Sequence, residues 1–332
     1  MDKDIYTDEV FSVLRKHLAI NRDTASRPIL IFACGGNPDK CKSRYYFEDY
    51  IKNSDNPLLD NVLFLKAEDI AKQPSMKGFD LLTQEALVAD IADWLVIFAE
   101  SVGSFCELGA FSALPSSLSL TSAVIQKEHR GDDSFLINGP VRMIGECEAP
   151  LSKVFYSKKD CPMENPVFVN YVINIRSLVA KNESVYRNRG RKTINTGSPV
   201  LAGSFALELL DLITLFGPID KDDLVKIYSK IKEIKIPLKI RSRTLENDMK
   251  KEIVIRPIQI LEVMHATDLI GVIENSKTSK QLYYSKIRLA DYFMFRRTKD
   301  KDFVNMQAEV CLRKRRRGYS YAENFYRRFD AE

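Results

Sequence analysis

Long apolar runs are missing from this chain of 332 residues. No stretch approaches the ~18 apolar residues that a membrane-spanning helix needs. The opening Met1-Asp2-Lys3-Asp4 is acidic and polar, unlike a secretory leader, so the expected compartment is the cytoplasm, with no membrane partner. Histidine is scarce, and His17, His129 and His265 lie far apart. The six cysteines, at 34, 41, 106, 147, 161 and 311, have neither metal-ligand nor disulfide-scaffold spacing, which argues against a metal site. Each reads as a small buried apolar residue. Gly35-Gly36 has no third glycine at the spacing of a dinucleotide fingerprint.

What is present fits a globular protein. Hydrophobic residues make up 45% and charged residues 29% of the chain, which is ordinary for that class. The length suggests roughly two domains. The net charge of +5 is unevenly divided: residues 1–199 carry 24 basic and 26 acidic side chains, and residues 200–332 carry 26 and 19. The second half, at +7, is therefore the half suited to nucleic acid.

In the first half, apolar strand patterns alternate with helical ones. Residues 5–20 have the periodicity of a docking helix. Strands are expected at 28–34, 61–65, 94–99, 122–125 and 153–156, and helices at 43–52 and 79–92. Such alternation predicts a parallel sheet wrapped by helices on both faces, a Rossmann/flavodoxin-like α/β fold. On the helix at 79–92, Asp90 reads as a solvated carboxylate. Glu85 is balanced between that reading and a substrate contact. A long helix is expected over 165–191, running into the basic stretch Arg187–Lys192. Gly197-Ser198-Pro199 marks the expected boundary between an α/β domain (1–160) with its connector (161–199) and a basic domain (200–332).

The second half has its own rhythm. Helices are expected at 205–216, 222–231 and 257–268, with Asp220 as an N-cap. Two short strands, 269–273 and 281–285, flank a polar tip with Lys277 and Lys280. Helices followed by a basic-tipped hairpin predict a winged-helix-like α+β domain. The run Arg313-Lys314-Arg315-Arg316-Arg317, near Tyr319 and Tyr321, extends the candidate phosphate-contacting surface. A solvated face and a protein-docking hairpin are the competing readings.

The informative stretch is Trp94–Phe111. A buried strand ends at Ala99, a Gly-containing turn follows, and a helix begins near Ser104. Ligands of open parallel sheets bind beyond the carboxyl ends of strands, so Glu100 and Glu107 stand where a ligand would. Ser104-x-x-Glu107 also reads as a capping box, with Glu107 serving backbone amides. On pattern alone the structural and catalytic readings of Glu107 weigh equally. Ser134–Arg142 contains Asn138-Gly139-Pro140, which is turn chemistry. Arg142 there offers either a fork for phosphate or a surface ion pair.

The segment Gly103-Ser104-Phe105-Cys106-Glu107-Leu108-Gly109 resembles the active-site motif of the nucleoside 2-deoxyribosyltransferase superfamily, in which the glutamate is the nucleophile. From Glu100 to Phe111 the chain is similar, more closely still, to effector proteins of retron anti-phage systems. Those share Glu-Ser-x-Gly-Ser-Phe-x-Glu-Leu-Gly-Ala-Phe and join such a domain to a winged helix. Cys34-Gly35-Gly36 and Phe135–Arg142 also agree, the latter with one residue fewer between Asn138 and Gly139. In the C-terminal half the likeness rests on architecture.

The resemblance implies Glu107 as the catalytic residue. It implies Gly35, Gly36, Glu85, Glu100, Gly103, Ser104, Asn138 and Arg142 as substrate-binding residues. Glu85 falls where the transferases carry an aspartate against the base. A carboxylate in this place can stabilise or capture the oxocarbenium ion of a breaking N-glycosidic bond. If the leaving base is the nicotinamide of NAD, it departs neutral and needs no proton. A purine would need a general acid, which a protonated Glu85 or Glu100 could supply. The leading expectation is thus a toxic effector that hydrolyses NAD as its substrate, with no cofactor. Its expected controllers are a retron reverse transcriptase and its msDNA, the RNA-linked single-stranded DNA. Two alternatives stay open: a nucleoside or nucleotide 2-deoxyribosyltransferase or hydrolase, and a nucleotide-sensing DNA-binding regulator without catalysis. A homo-oligomer is compatible with the pattern, which does not set the number of copies.

Overall fold

The structure is a computed structural model, and it describes residues 5–18, 28–37, 39–68, 70–185, 200–242, 255–275, 279–287, 295 and 301–316. Lys277, Arg317, Arg187–Lys192, the expected boundary at Gly197–Pro199, Tyr319 and Tyr321 lie outside the described residues.

The first half runs α1 (Asp8–Lys16), β1 (Ile29–Cys34), α2 (Ser43–Lys52), β2 (Val62–Leu65), α3 (Leu81–Ile91), β3 (Trp94–Ala99), α4 (Val102–Ala113), α5 (Pro115–Leu118), β4 (Thr121–Gln126), α6 (Arg142–Glu146), β5 (Lys153–Ser157), α7 (Pro166–Ile173) and α8 (Ile175–Val185). The five strands are parallel, in the order β2-β1-β3-β4-β5. This is the expected α/β sheet, in the flavodoxin-like order. Every residue of β1 and β3 is buried, as their unbroken apolar runs require. The chain reverses direction across the sheet between β1 and β3, which leaves a crevice at their carboxyl ends.

Three elements depart from expectation. The helix expected over 165–191 is two, α7 and α8, parted at Asn174, whose side-chain amide donates to the Asn170 carbonyl at 2.8 Å and competes with the helix ladder. The Asn-Gly-Pro stretch is helical rather than a turn. Ile137–Val141 forms a wide π-type turn with Pro140 inside it, and that widening accommodates a residue with no N–H to donate. Asp90, expected in solvent, is buried. The outer face of α3 is covered by a helix from the second half, so α3 is enclosed nearly all round.

That second half runs β6 (Val200–Leu201), α9 (Ala202–Phe216), β7 (Ile219–Asp220), α10 (Lys221–Lys232), β8 (Ile240–Arg241), α11 (Pro257–Ala266), β9 (Ile270–Glu274), β10 (Gln281–Ser285) and α12 (Lys301–Arg316). Asp220 caps α10 as expected, accepting from the amides of Asp222 and Asp223 at 2.9 and 3.0 Å. The hairpin β9–β10 takes β7 as a third, antiparallel strand. Thirteen of the 15 residues of α9 are buried, which makes it the central helix between α3 on one side and α10, α11 and α12 on the other. The α1 helix docks, as its periodicity predicts, but on α10 and α12. There Lys230 bonds Asp8 at 3.0 Å and lies over the Phe11 ring. One continuous set of buried apolar side chains runs through both halves.

Candidate active site

The crevice between β1 and β3 is built from two loops that touch. Gly35 and Gly36 follow β1, and Glu100 follows β3. The Gly36 amide donates to Glu100 Oε1 at 3.3 Å, and the Cys41 thiol donates to the Glu100 carbonyl at 3.3 Å. The glycines are there for close approach. A Cβ at Gly35 would stand 2.9 Å from Arg44 Cβ and 3.1 Å from Glu100 Oε1. One at Gly36 would meet Cys41 Sγ at 2.7 Å. Side chains of the protein itself thus fill the space that the sequence left to a turn or a ligand.

The helix carrying Glu107 begins earlier than its Ser-x-x-Glu spacing predicts. Its N-cap is Ser101, in a reciprocal box with Ser104: Ser104 N donates to Ser101 Oγ at 3.2 Å, and Ser101 N donates to Ser104 Oγ at 2.9 Å. This corrects the capping reading of Glu107, whose carboxylate serves no cap. It also assigns Ser104, 1% exposed, to the cap. Gly103, in the exposed first turn, has only Ser101 Oγ, at 3.9 Å, near where a side chain would stand.

One turn further on, Glu107 points back toward β1. Its Oε2 is buried and has no hydrogen-bond partner, and Glu100 Oε2 is in the same condition. A buried, unpaired carboxylate oxygen is costly unless something else binds it. Burial pushes the Glu107 carboxyl up, while the Cys34 thiol hydrogen-bonded to it and the nearby Arg44 guanidinium pull the other way. Beside it, on α3, Glu85 is raised to about 7, first by burial and then by the charges of Glu107 and Glu68. Two neighbouring carboxyls in a dry site cannot both hold charge cheaply, so Glu85 keeps a proton near neutrality.

Arg44, Glu68 and Cys34 are the site residues that sequence reasoning missed. Arg44 Nη1 bonds Glu68 Oε1 at 2.7 Å, with the arginine side chain only 23% exposed. Cys34 is fully buried, and its thiol is pushed well up by that burial and by Glu107. Their signal is positional: Cys34 ends β1, Glu68 follows β2, and Arg44 lies in the first turn of α2, the helix after Gly35-Gly36. Among the described residues, no three His, Cys, Asp or Glu are arranged to hold a metal ion.

The other expected residues are placed elsewhere. Asn138 donates to Asp133 at 2.8 Å on the surface. Arg142 pairs with Glu146 at 2.7 Å, both side chains about two-thirds exposed at 66% and 65%, which is the surface ion pair rather than a free phosphate fork. In the second half, Lys280 lies 3.7 Å from Asp220 and is 55% exposed. Arg313 pairs with Glu309. Lys314, expected to face nucleic acid, is instead 3% exposed and donates to the carbonyls of Phe216 and Pro218. Its pKa is lowered to about 8 by burial. The correction is physical: an ammonium that caps the carboxyl end of a buried helix has no face left for phosphate. Arg315 and Arg316 fall in α12, where the backbone alone is described.

A family model described as STM3845 retron effector protein matches residues 40–287 of this sequence. The chain belongs to that family. The match takes in Glu85, Glu100 and Glu107 in the first half and runs through β10 in the second. Two curated Escherichia coli proteins are similar to this effector. One, named as a candidate ribosyltransferase/DNA-binding protein of retron Ec73, is 24% identical over 210 residues, covering 60% of this chain and 66% of that protein. The other bears the same description for retron Ec86 and is 30% identical over 144 residues, covering 42% of this chain and 45% of that protein. The chain therefore spans under two thirds of either relative's length. Among the described residues, no helix is long and apolar enough to cross a membrane.

Proposed function

We propose that this retron effector breaks the N-glycosidic bond of NAD, with Glu107 as the reacting carboxylate. The observation that carries the proposal is Glu107 Oε2, buried, unpartnered and released from helix capping beside the β1–β3 crevice. As the bond between nicotinamide and ribose breaks, its electron pair neutralises the ring nitrogen, and positive charge grows on the sugar. Glu107 shields or captures the anomeric carbon, and water completes the hydrolysis to ADP-ribose and a proton. Glu85, which titrates at about 7, can take up that proton in its ionised form. The two relatives named for ribosyltransferase activity support glycosidic chemistry in general.

Glu85 also favours a second reading. A carboxyl that is protonated at neutral pH can protonate a departing purine or pyrimidine, which suits a nucleoside or nucleotide substrate. Incubating the protein with NAD and with deoxynucleosides separates the two. Nicotinamide release supports the first, base exchange or base release without NAD loss supports the second, and recovery of every compound unchanged removes both and leaves a sensing role.

The controlling partners in this reading are a reverse transcriptase and its msDNA, met by the basic C-terminal half. The order helix, short strand, two helices, hairpin, with β7 joining β10, supports a winged-helix reading of that half. The DNA-binding name of both relatives agrees with it. Co-purification of the effector with both partners tests the assembly.

A further inference from the structure

In a winged helix, the helix before the hairpin is the one that enters the DNA groove. Here that helix is α11, and it is unsuited to the task in two independent ways. Its sequence, PIQILEVMHA, contains no lysine or arginine and one acid, Glu262. None of its ten residues is exposed.

On one side it is covered by α9, α10 and β9, and on another by the wall of the carboxylate site. Ser75 sits in a single helical turn, Pro74–Met76, between β2 and α3. Gln259 and Glu262, one turn apart on α11, engage every polar group of Ser75. Glu262 Oε2 accepts from the Ser75 amide at 2.9 Å and from the Ser75 hydroxyl, and Gln259 Nε2 donates to the Ser75 carbonyl at 3.2 Å. The next link is as specific. Gln84 Nε2 donates to the carbonyls of Met76 and Phe79 at 3.3 and 2.9 Å, clasping this turn to α3. Gln84 is the neighbour of Glu85. A hydrogen-bonded path thus runs from α11 through Ser75 and Gln84 to the backbone that carries Glu85.

We infer that α11 is not a groove-reading helix but a tie, through which the C-terminal unit holds the Glu85 wall of the crevice in place. Whatever the C-terminal half binds therefore meets another of its surfaces, and any displacement of α11 reaches the site through Ser75. The structural half of this inference stands apart from the glycosidase reading, and its effect on rate rests on that reading.

Amide hydrogen exchange of the full-length protein tests the tie without any substrate. Glu262→Ala is expected to speed exchange across residues 70–91 and to leave β1 and β4 unchanged, whereas Glu262→Gln, which keeps an acceptor for the Ser75 amide, gives a smaller change. Unchanged exchange at 70–91, or an equal rise throughout the sheet, overturns a local tie. Added duplex DNA is expected to leave exchange at residues 257–266 as it was, and protection gained there restores α11 as the reader. With the wall loosened, kcat for nicotinamide release is expected to fall roughly threefold to thirtyfold. A loosened wall with unaltered kcat overturns the coupling. A parent protein inactive on every glycoside sinks the glycosidase reading and its rate coupling, while the exchange results still decide the tie.

Discussion

Glu107 and Glu85 divide one electrostatic problem between two side chains. Burial raises both carboxyls, but Glu107 has a hydrogen bond from Cys34 and the field of Arg44 to oppose that rise, whereas Glu85 has two acidic neighbours that add to it. Glu107→Gln keeps shape and removes charge. We expect it to lower kcat on the true substrate by roughly a thousandfold or more, while its melting temperature holds or rises, because burial disfavours the carboxylate that has gone. Paired activity and melting measurements check this, and a Gln variant that turns over normally removes Glu107 from the chemistry. Glu85 predicts a pH signature. Its folded pKa of about 7 lies above the ordinary 4.5, so the folded chain keeps a proton that the unfolded chain has released. The stability this contributes is fully present below the unfolded value and is lost as pH rises through about 7. The parent should therefore lose melting temperature across that window, and Glu85→Gln should flatten the profile. If Glu85 protonates a leaving base, the rate falls as pH rises through about 7, whereas release of nicotinamide from NAD, in which ionised Glu85 takes up the proton from water, does not fall there.

At the level of elements, α12 shows how a basic run can be structural. The Lys314 ammonium reaches under α12 to the Phe216 and Pro218 carbonyls at the end of α9. Lys314→Met leaves those carbonyls without their donor, at a cost of about 1–3 kcal/mol. We expect a lower melting temperature and an unchanged salt slope of nucleic-acid binding; a shallower slope would return Lys314 to the phosphate-facing surface. The same contrast explains what was legible beforehand. Helix α2 (Ser43–Lys52) and strand β10 (Gln281–Ser285) end where local pattern puts them, because helical spacing and alternation of apolar residues are written in neighbouring positions. The start of α4 was misplaced because Ser101 and Ser104 are both good caps, and only the backbone decides which is used. Glu107 could be picked out by motif. Its companions Cys34, Arg44 and Glu68 could not, since strand order brings them to it and spacing does not.

At the scale of the whole molecule, one contact between the two halves is backbone against helix. Gly203, near the start of α9, lies on the Asp90 carbonyl near the end of α3, and a Cβ there would collide with that oxygen. Asp90 is buried for this reason, and a pattern read within α3 alone has no means of detecting a helix that arrives from the second half. The contact makes folding of the two halves testable with one intrinsic probe. The single tryptophan, Trp94, is buried in β3, with its indole N–H bonded to Ser122 Oγ at 2.9 Å, and so it reports on the α/β sheet. Gly203→Ala changes only the second half in sequence, yet it must push α9 off α3, at a cost of about 1–3 kcal/mol. If the shared core makes one cooperative unit, the Trp94 fluorescence transition moves down together with the loss of helical signal. If the halves melt independently, the tryptophan midpoint stays where it was while the helical transition splits, and a C-terminal unit that governs the crevice by way of α3 would lose its mechanical basis.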